Sequence, residues 1–146
     1  KMGITTSLPS LPSLALGAAE IKINDLATAY TSYANHGKNA TPLLIKSISN
    51  SKDSIIEKFS PNISINTAFS SETNMIMLEM MKATINSGTA SRIRSTYKLT
   101  NDIAGKTATT QNNKDAWFVG ITPKLVSVTW VGLDNHEIGF KNTSNC

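Results

Sequence analysis

Apolar and polar side chains alternate most regularly in the last third of the chain. A small, β-branched run over about 102–109 is followed by five polar residues, 111–115, and then by an apolar, aromatic run over 116–122. In a third run, 125–132, valine and tryptophan alternate mainly with hydroxyl side chains. Alternation with a period of two, interrupted by polar turns, is typical of antiparallel strands. The pattern therefore predicts a three-stranded meander.

Two earlier segments repeat their apolar residues every three to four positions, as the buried face of a helix does. The first runs from Asn24 to Asn35, with Asn24 or Asp25 as its N-terminal cap and Gly37 just after its end. His36 fits a helix C-terminal residue that is stabilised by the helix dipole. The predicted apolar stripe consists of Leu26, Ala27, Tyr30, Tyr33 and Ala34.

The second helix is predicted from Ser70 or Ser71, either of which can cap it, to about Asn86, with Gly88 beyond its end. Its apolar residues cover most of the helix circumference, which predicts burial on more than one side. Its methionines are expected to fill the core. The residues concerned are Met75, Ile76, Met77, Leu78, Met80, Met81, Ala83 and Ile85.

The remaining segments lack a long period. Residues 1–16 contain two prolines and predict an extended loop whose leucines, Leu8, Leu11, Leu14 and Leu16, are buried. The runs 42–48 and 54–59 predict a hairpin, 60–69 a loop, and 92–100 a polar connection. Together these elements predict an α/β fold of the α+β type, with an antiparallel meander packed against helices.

The composition of the chain argues against several classes of function. The chain has 146 residues, enough for one domain of ordinary size and not two, and its net charge is +4. Its basic residues are scattered and only 6% of residues are aromatic, so a nucleic-acid surface is not expected. No apolar run reaches the ~18–20 residues of a membrane span, and the single cysteine, Cys146, forms no internal disulfide. We expect no metal and no cofactor, because His136 beside Asp134 and Glu137 lacks further ligands at a fixed spacing.

The candidate chemistry lies on the first strand of the meander. Lys106, Thr107, Thr109 and Thr110 lie on this strand or just past it. They offer one ligand a cation, hydroxyl donors and backbone N–H groups. This combination suits a carboxylate beside a carbonyl that becomes an oxyanion. Without further information, the solvent-facing side of an ordinary sheet explains the same residues.

A longer ordered run points to a family. Ala-Gly-Lys-Thr-Ala-Thr-Thr at 104–110, followed by Lys-Asp-Ala-Trp-Phe-Val-Gly-Ile-Thr-Pro at 114–123, resembles the lysine-threonine-glycine hairpin of class A penicillin-binding proteins, the bifunctional peptidoglycan synthases. The strand 125–132 continues the likeness, and Gly-Thr-Ala at 88–90 resembles the element preceding that hairpin. The resemblance implies that 1–146 is a C-terminal fragment of one transpeptidase domain, cut at both ends.

The resemblance also implies roles for single residues. Lys106 would join the hydrogen bonds around the serine nucleophile, and the Thr107 and Thr109 hydroxyls would hold the substrate carboxylate. The Thr109 N–H would be an oxyanion donor, which makes Lys106 and Thr109 the catalytic candidates. Thr107, Ala108, Thr109 and Thr110 are the substrate-binding candidates. Ala108 replaces the family's glycine, and its methyl group is expected to weaken ligand binding.

Two motifs of the family can be matched by chance here. Ser49 and Ser95 each precede a lysine by three residues, and Ser60 and Ser64 each begin a Ser-x-Asn triplet. A nucleophilic serine must open a buried helix that carries its lysine one turn later. Ser49 lies in a predicted polar turn and Ser95 in a polar connection. The nucleophile is therefore expected upstream of this segment, a closing helix downstream of Cys146, and the fragment alone should be inactive.

The implied parent is a serine D,D-transpeptidase that cross-links peptidoglycan stem peptides through an acyl-serine and is acylated by β-lactams. Its expected partners are those stem peptides, β-lactams, the upstream remainder of the polypeptide, and a membrane reached only through the parent's N-terminal anchor. The expected location is the extracytoplasmic side of the bacterial inner membrane. Alternatives are an inactive carboxylate- or peptide-binding relative and a fragment of a β-lactamase-type serine hydrolase. The strand 125–132 is expected to need a partner strand from outside the segment.

Overall fold

The structure is a computed structural model of the chain, and it describes residues 2–17, 19–110, 113–133, 135 and 138–140. The chain forms two compact units, Lys1–Ala68 and Phe69–Cys146. Among its described residues, the first unit contains a 3-10 helix, one α-helix and four short strands. These are the 3-10 helix Pro12–Leu16, α1 (Ile23–Ala34), β1 (Ala40–Thr41), β2 (Ser47–Ser49), β3 (Ile55–Lys58) and β4 (Asn62–Ile63).

The start of α1 differs from the predicted one. Lys22 occupies the N-cap position without a side-chain hydrogen bond, so neither Asn24 nor Asp25 is the cap. Asp25 lies in the first turn, where its carboxylate accepts the N–H groups of Thr5 and Thr6 at 3.1 and 2.7 Å, and both of their hydroxyls. The hydroxyl of Thr6, with these further donors, lowers the pKa of Asp25 to about 2. Asp25 therefore fastens the N-terminal segment to α1.

Burial in the first unit departs from the sequence pattern. The buried positions of α1 are Asp25, Thr28, Ala29 and Ser32, so the predicted apolar stripe lies beside the buried face and not on it. The N-terminal leucines Leu8, Leu11 and Leu16 are exposed, against the prediction. The predicted extended loop contains the 3-10 helix. Pro12 suits the first position of this helix because its φ is already fixed in the helical range, and Gly17, with φ of 80°, ends the helix.

The predicted hairpin is present but shorter than the apolar runs. β2 and β3 pair antiparallel across the turn that begins after Ser49. The region predicted as loop contains β4, which pairs antiparallel with β1 through two residue pairs, Ala40 with Ile63 and Thr41 with Asn62. Two-residue strands are too short to show alternation, which explains why this pair was not predicted from the sequence.

The second unit contains the predicted meander. Its elements are α2 (Ser71–Asn86), α3 (Arg92–Ser95), β5 (Ala104–Thr109), β6 (Asp115–Thr122) and β7 (Leu125–Gly132). The strands form one antiparallel sheet in the order β5-β6-β7, with Gly105 opposite Gly120 and Trp117 opposite Trp130. The fold class is confirmed as an antiparallel sheet with helices.

Helix α2 has the predicted cap but not the predicted burial. The Ser70 hydroxyl accepts the Thr73 N–H at 3.2 Å. Only Asn74, Met81 and Ile85 are buried, so core filling holds for Met81 and is wrong for its more exposed neighbours. Met75, Ile76 and Met80 are each more than half exposed. The helix packs on the sheet by one face, and several apolar side chains on its other faces are exposed.

The predicted polar connection contains α3 and is ordered by one side chain. Arg94 donates to the Asn86 side chain at 3.0 Å and to the carbonyls of Leu99 and Asn101 at 2.5 and 2.8 Å. These contacts join the end of α2 to the segment that enters β5. Within the described part of the chain, no helix combines the length and apolar character needed to cross a bilayer.

Candidate functional site

The candidate residues lie on β5, at one side of the sheet. Among the described strands β5 pairs only with β6, so its other edge carries no partner strand. This edge is reached from solvent, because Lys106 and Thr109 are exposed and Thr107 is half-buried. An edge of this kind offers backbone N–H and C=O groups to an extended ligand.

The pairing pattern shows which residues face the open edge. Thr110 donates its N–H to the carbonyl of Asp115 at 3.2 Å, so these two form a hydrogen-bonded pair. Bonded and non-bonded pairs alternate along an antiparallel ladder, and the register places Thr109 opposite Ala116. Thr107 and Thr109 therefore belong to non-bonded pairs, and their N–H and C=O groups point away from β6.

Lys106 places its charge at the same edge. Its ammonium group donates to the carbonyl oxygen of Thr107 at 2.5 Å. This carbonyl is one of the outward-facing groups, so the lysine side chain bends from its own face of the strand towards the open edge. A cation therefore lies beside the outward N–H groups.

Thr107 and Thr109 present their side chains on the opposite face of the strand from Lys106, because successive residues alternate. The Thr107 hydroxyl is 2.6 Å from the hydroxyl of Thr89, which lies between α2 and α3. This contact could not be predicted from the sequence, since the two threonines are 18 positions apart and no periodicity connects them. Thr89 is the residue that the structure adds to the site.

Ala108 and Thr110 occupy different surroundings. Ala108 is exposed and lies opposite Trp117, on the same face as Lys106. Thr110 lies just past β5, where its hydroxyl accepts the N–H of Asp115 at 3.0 Å. This bond gives Thr110 a structural part in the β5–β6 turn, and its contact with a substrate stays a prediction.

Gly105 sets the distance between β5 and α2. A Cβ atom built on Gly105 would lie 2.9 Å from Cδ1 of Ile85, 2.9 Å from the carbonyl oxygen of Val119 and 3.1 Å from the Phe118 ring. Only a residue without a side chain allows this approach. The strand that carries Lys106 therefore packs directly against the buried C-terminal end of α2.

The serines that match the nucleophile motif by chance do not open helices. Ser49 is the last residue of β2, and Ser95 is the last residue of α3, where its hydroxyl donates to the Ser91 carbonyl at 3.2 Å. The Ser64 hydroxyl donates to the Asn66 carbonyl at 3.0 Å. Neither Ser49 nor Ser95 begins a helix that carries a lysine one turn later.

No metal site is evident in the parts of the chain that the structure describes, since no group of three or more His, Cys, Asp or Glu residues is suitably placed. His136, Asp134 and Glu137 lie outside the described residues. The open edge of β5 carries a cation, hydroxyl groups and outward N–H donors. That set suits an extended anionic ligand with a carbonyl group close to its carboxylate.

Comparison with known proteins gives consistent matches. The sequence profile of the family described as “Penicillin binding protein transpeptidase domain” matches residues 9–141. Penicillin-binding protein 1A of Aquifex aeolicus is 34% identical over 134 residues, which cover 92% of this chain and 18% of that protein. The chain spans about a fifth of the length of the curated relatives it matches.

Solved structures agree with the sequence matches. Penicillin-binding protein 1A from Haemophilus influenzae superimposes with a TM-score of 0.77 at 26% identity, over 87% of this chain and 24% of that one. The D,D-transpeptidase domain of a peptidoglycan glycosyltransferase from Eggerthella lenta gives a TM-score of 0.59 at 28% identity. That superposition covers 70% of this chain and 24% of the other.

Proposed function

The chain belongs to the penicillin-binding protein transpeptidase domain family, and from this membership we propose that it forms one wall of the active site of a serine D,D-transpeptidase. The proposed reaction cross-links peptidoglycan stem peptides through an acyl-serine intermediate, which β-lactams also form. The Eggerthella lenta relative is by name a D,D-transpeptidase domain. The serine nucleophile is proposed to lie elsewhere in the same polypeptide.

The open edge of β5 is the observation that supports this proposal most directly. A peptide laid along that edge meets the outward N–H groups of Thr107 and Thr109 and the ammonium group of Lys106. β-Strand addition of this kind supplies main-chain hydrogen bonds irrespective of peptide sequence. The charged and hydroxyl groups then select a ligand that ends in a carboxylate.

Each residue receives a distinct role. The Thr109 N–H donates to the oxyanion of the tetrahedral intermediate, and one such donor is worth about 3–4 kcal/mol of transition-state stabilisation. The hydroxyls of Thr107 and Thr109 hold the carboxylate of the stem peptide or β-lactam. Lys106 stabilises negative charge and assists proton transfer at the serine. Acylation comes first: the serine oxygen bonds to the carbonyl carbon, the carbon–nitrogen bond breaks, and the terminal residue leaves as an amine that carries the serine proton. The amine of a second stem peptide then bonds to the acyl carbon, and the serine oxygen leaves and takes up the proton that this amine loses.

We place the chain in the C-terminal part of the domain, with the nucleophile and the Ser-x-Asn motif before Lys1. The small share of each relative that it covers, 18% for the Aquifex aeolicus protein, supports a part of a longer protein, and the likeness of residues 104–123 to the lysine-threonine-glycine hairpin supports the C-terminal position. A membrane anchor, a glycosyltransferase domain and a position on the extracytoplasmic side of the inner membrane belong to the proposed parent. Residues 1–146 alone are proposed to form no acyl-enzyme.

Fluorescent penicillin tests the proposal. The full-length protein should become labelled, and Lys106→Ala should slow labelling by about 100-fold or more, since a positioned acid or base contributes about 10²–10⁴-fold. Lys124→Ala is the matched control, because Lys124 is exposed in the turn between β6 and β7. It should label at the rate of the unchanged protein.

Labelling of the isolated chain is the complementary test. Residues 1–146 should not be labelled at any penicillin concentration that labels the full-length protein. Labelling of the isolated chain that disappears in Ser49→Ala or Ser95→Ala would show that the nucleophile is in this segment, and the proposed division of the site would then be wrong.

A carboxylate-binding relative without catalysis is the second candidate. Ala108 favours it, because the alanine adds an exposed methyl group on the Lys106 face where the family has glycine. Reversible binding of penicillin by the full-length protein, with no covalent product in a denaturing gel, would select this candidate over the enzyme.

A further inference from the structure

Two hydroxyl groups meet beside the open edge of β5. The side chains of Thr89 and Thr107 are 2.6 Å apart, which is a short O–H···O distance. Thr107 is half-buried on β5 and Thr89 is exposed in the turn after α2. No role in acyl transfer follows for Thr89 from the proposed function alone.

The backbone around Thr89 is fixed on both sides. Gly88 donates to the Ala83 carbonyl at 2.9 Å, and Ala90 donates to the Thr84 carbonyl at 3.0 Å. A Cβ atom on Gly88 would lie 2.8 Å from Cα of Thr84, and Ala90 is buried. Glycine permits the close turn and alanine anchors it, so the backbone of the threonine between them is held in place.

Proton counting limits what this pair can do. Each hydroxyl has one proton to donate, and a single bond between the two uses one of them. If Thr107 donates to Thr89, the Thr107 proton is not available to a ligand. If Thr89 donates, the Thr107 proton points elsewhere, and an anionic acceptor strongly favours this second arrangement.

We propose that Thr89 is a positioning residue that donates to Thr107 and so directs the Thr107 hydroxyl proton towards the ligand carboxylate. A hydroxyl that receives a hydrogen bond is also a better donor, because adjacent bonds polarise one another. Thr89 acts through Thr107 and touches no reacting atom. This inference rests on the proposed function, since it assumes a carboxylate at Thr107.

The test compares two ligands on the full-length protein. One is a penicillin with its free carboxylate, and the other is the methyl ester of the same penicillin. Stopped-flow acylation separates the dissociation constant of the first complex from the rate of the chemical step. Thr89→Val should weaken the first complex with the acid about five- to tenfold, change the chemical step less than twofold, and leave the ester unaffected.

Two further variants make the result specific. Thr89→Ser keeps the hydroxyl and should restore binding of the acid to within about twofold. Thr129→Val is the matched control: Thr129 lies in the same row of the sheet as Thr107, across Phe118, two strands and about 10 Å away. It should bind both ligands as the unchanged protein does.

The outcomes distinguish a failure of the positioning role of Thr89 from a failure of the proposed function. If Thr89→Val binds the acid normally, or loses acid and ester equally, the positioning role is overturned while the transpeptidase proposal stands. Failure of Thr89→Ser to restore binding overturns it as well. If the unchanged protein is acylated by neither ligand, the proposed function fails, and the inference fails with it.

Discussion

Replacing Gly105 with alanine would place a methyl group at the contact between β5 and α2. The new Cβ would lie 2.9 Å from both Cδ1 of Ile85 and the carbonyl oxygen of Val119. The carbonyl belongs to the backbone of β6 and cannot move without disturbing the strand pairing. Ile85 is fully buried in a close-packed interior, so moving its methyl group would require its neighbours to shift as well.

The expected cost combines two opposing effects. Overpacking a well-packed contact costs about 1–3 kcal/mol. Alanine recovers roughly 0.5–1 kcal/mol relative to glycine in a strand, because it loses less backbone entropy on folding. The net loss should be about 1–2 kcal/mol, which shifts the urea midpoint downward by roughly 0.5–1 M at ordinary m-values.

Tryptophan fluorescence is a suitable assay, because both tryptophans of the chain, Trp117 and Trp130, lie in this sheet. Gly120→Ala is the matched control, since Gly120 lies opposite Gly105 and its added Cβ would meet only the Phe118 ring, at 3.2 Å or more. It should cost clearly less. Ile85→Val should cost less in the Gly105→Ala background than alone, because it removes the crowded Cδ1 atom.

Two results would refute this reasoning. One is a Gly105→Ala variant as stable as the unchanged chain, which would mean that β5 is not seated on α2 as described. The other is strict additivity of Gly105→Ala and Ile85→Val, which would mean that the two sites do not touch.

Four other expectations follow from the structure. The pKa of Asp25 is lowered from 3.8 to about 2, so its ionised form stabilises the fold above about pH 4, and this contribution is lost as the pH falls towards 2. The thermal midpoint of Asp25→Asn should therefore change less than that of the unchanged chain between about pH 5 and about pH 2. Arg94→Ala should lower the free energy of unfolding in urea by about 1–3 kcal/mol, because two backbone carbonyls and an amide oxygen lose their donor, and an unchanged free energy of unfolding would contradict this. Ala108→Gly in the full-length protein should accelerate β-lactam acylation several-fold. An unchanged rate would show that the Ala108 methyl group does not hinder ligand binding. The isolated chain should self-associate in analytical ultracentrifugation, because β7 pairs only with β6 among the described strands, and a stable monomer would count against an exposed strand edge.

Local patterns predicted the parts of the fold that local chemistry controls. The alternation in β5, β6 and β7 and the cap at Ser70 follow from period and side-chain type, and the structure has them where the sequence placed them. The likeness to the lysine-threonine-glycine hairpin likewise predicted the family. These features depend on residues that are neighbours in the sequence.

The errors have a common physical origin, because each depends on groups that are far apart in the chain. Asp25 looks like a helix cap in the sequence, yet it binds threonines about twenty positions earlier. The apolar residues around α2 predicted burial on several sides, but a period cannot say how many neighbours a helix has. The Thr89–Thr107 contact exists only because the end of α2 is brought to β5 by the packing of Ile85 on Gly105.

The proposed role of β5 can be tested by a crystal structure of the full-length protein after acylation by a penicillin. We expect the penicillin carboxylate within hydrogen-bond distance of the Thr107 and Thr109 hydroxyls, and the acyl oxygen about 2.7–3.1 Å from the Thr109 nitrogen. The acylated serine should lie outside residues 1–146. A ligand bound away from the open edge of β5, or an acyl group on Ser49 or Ser95, would contradict it.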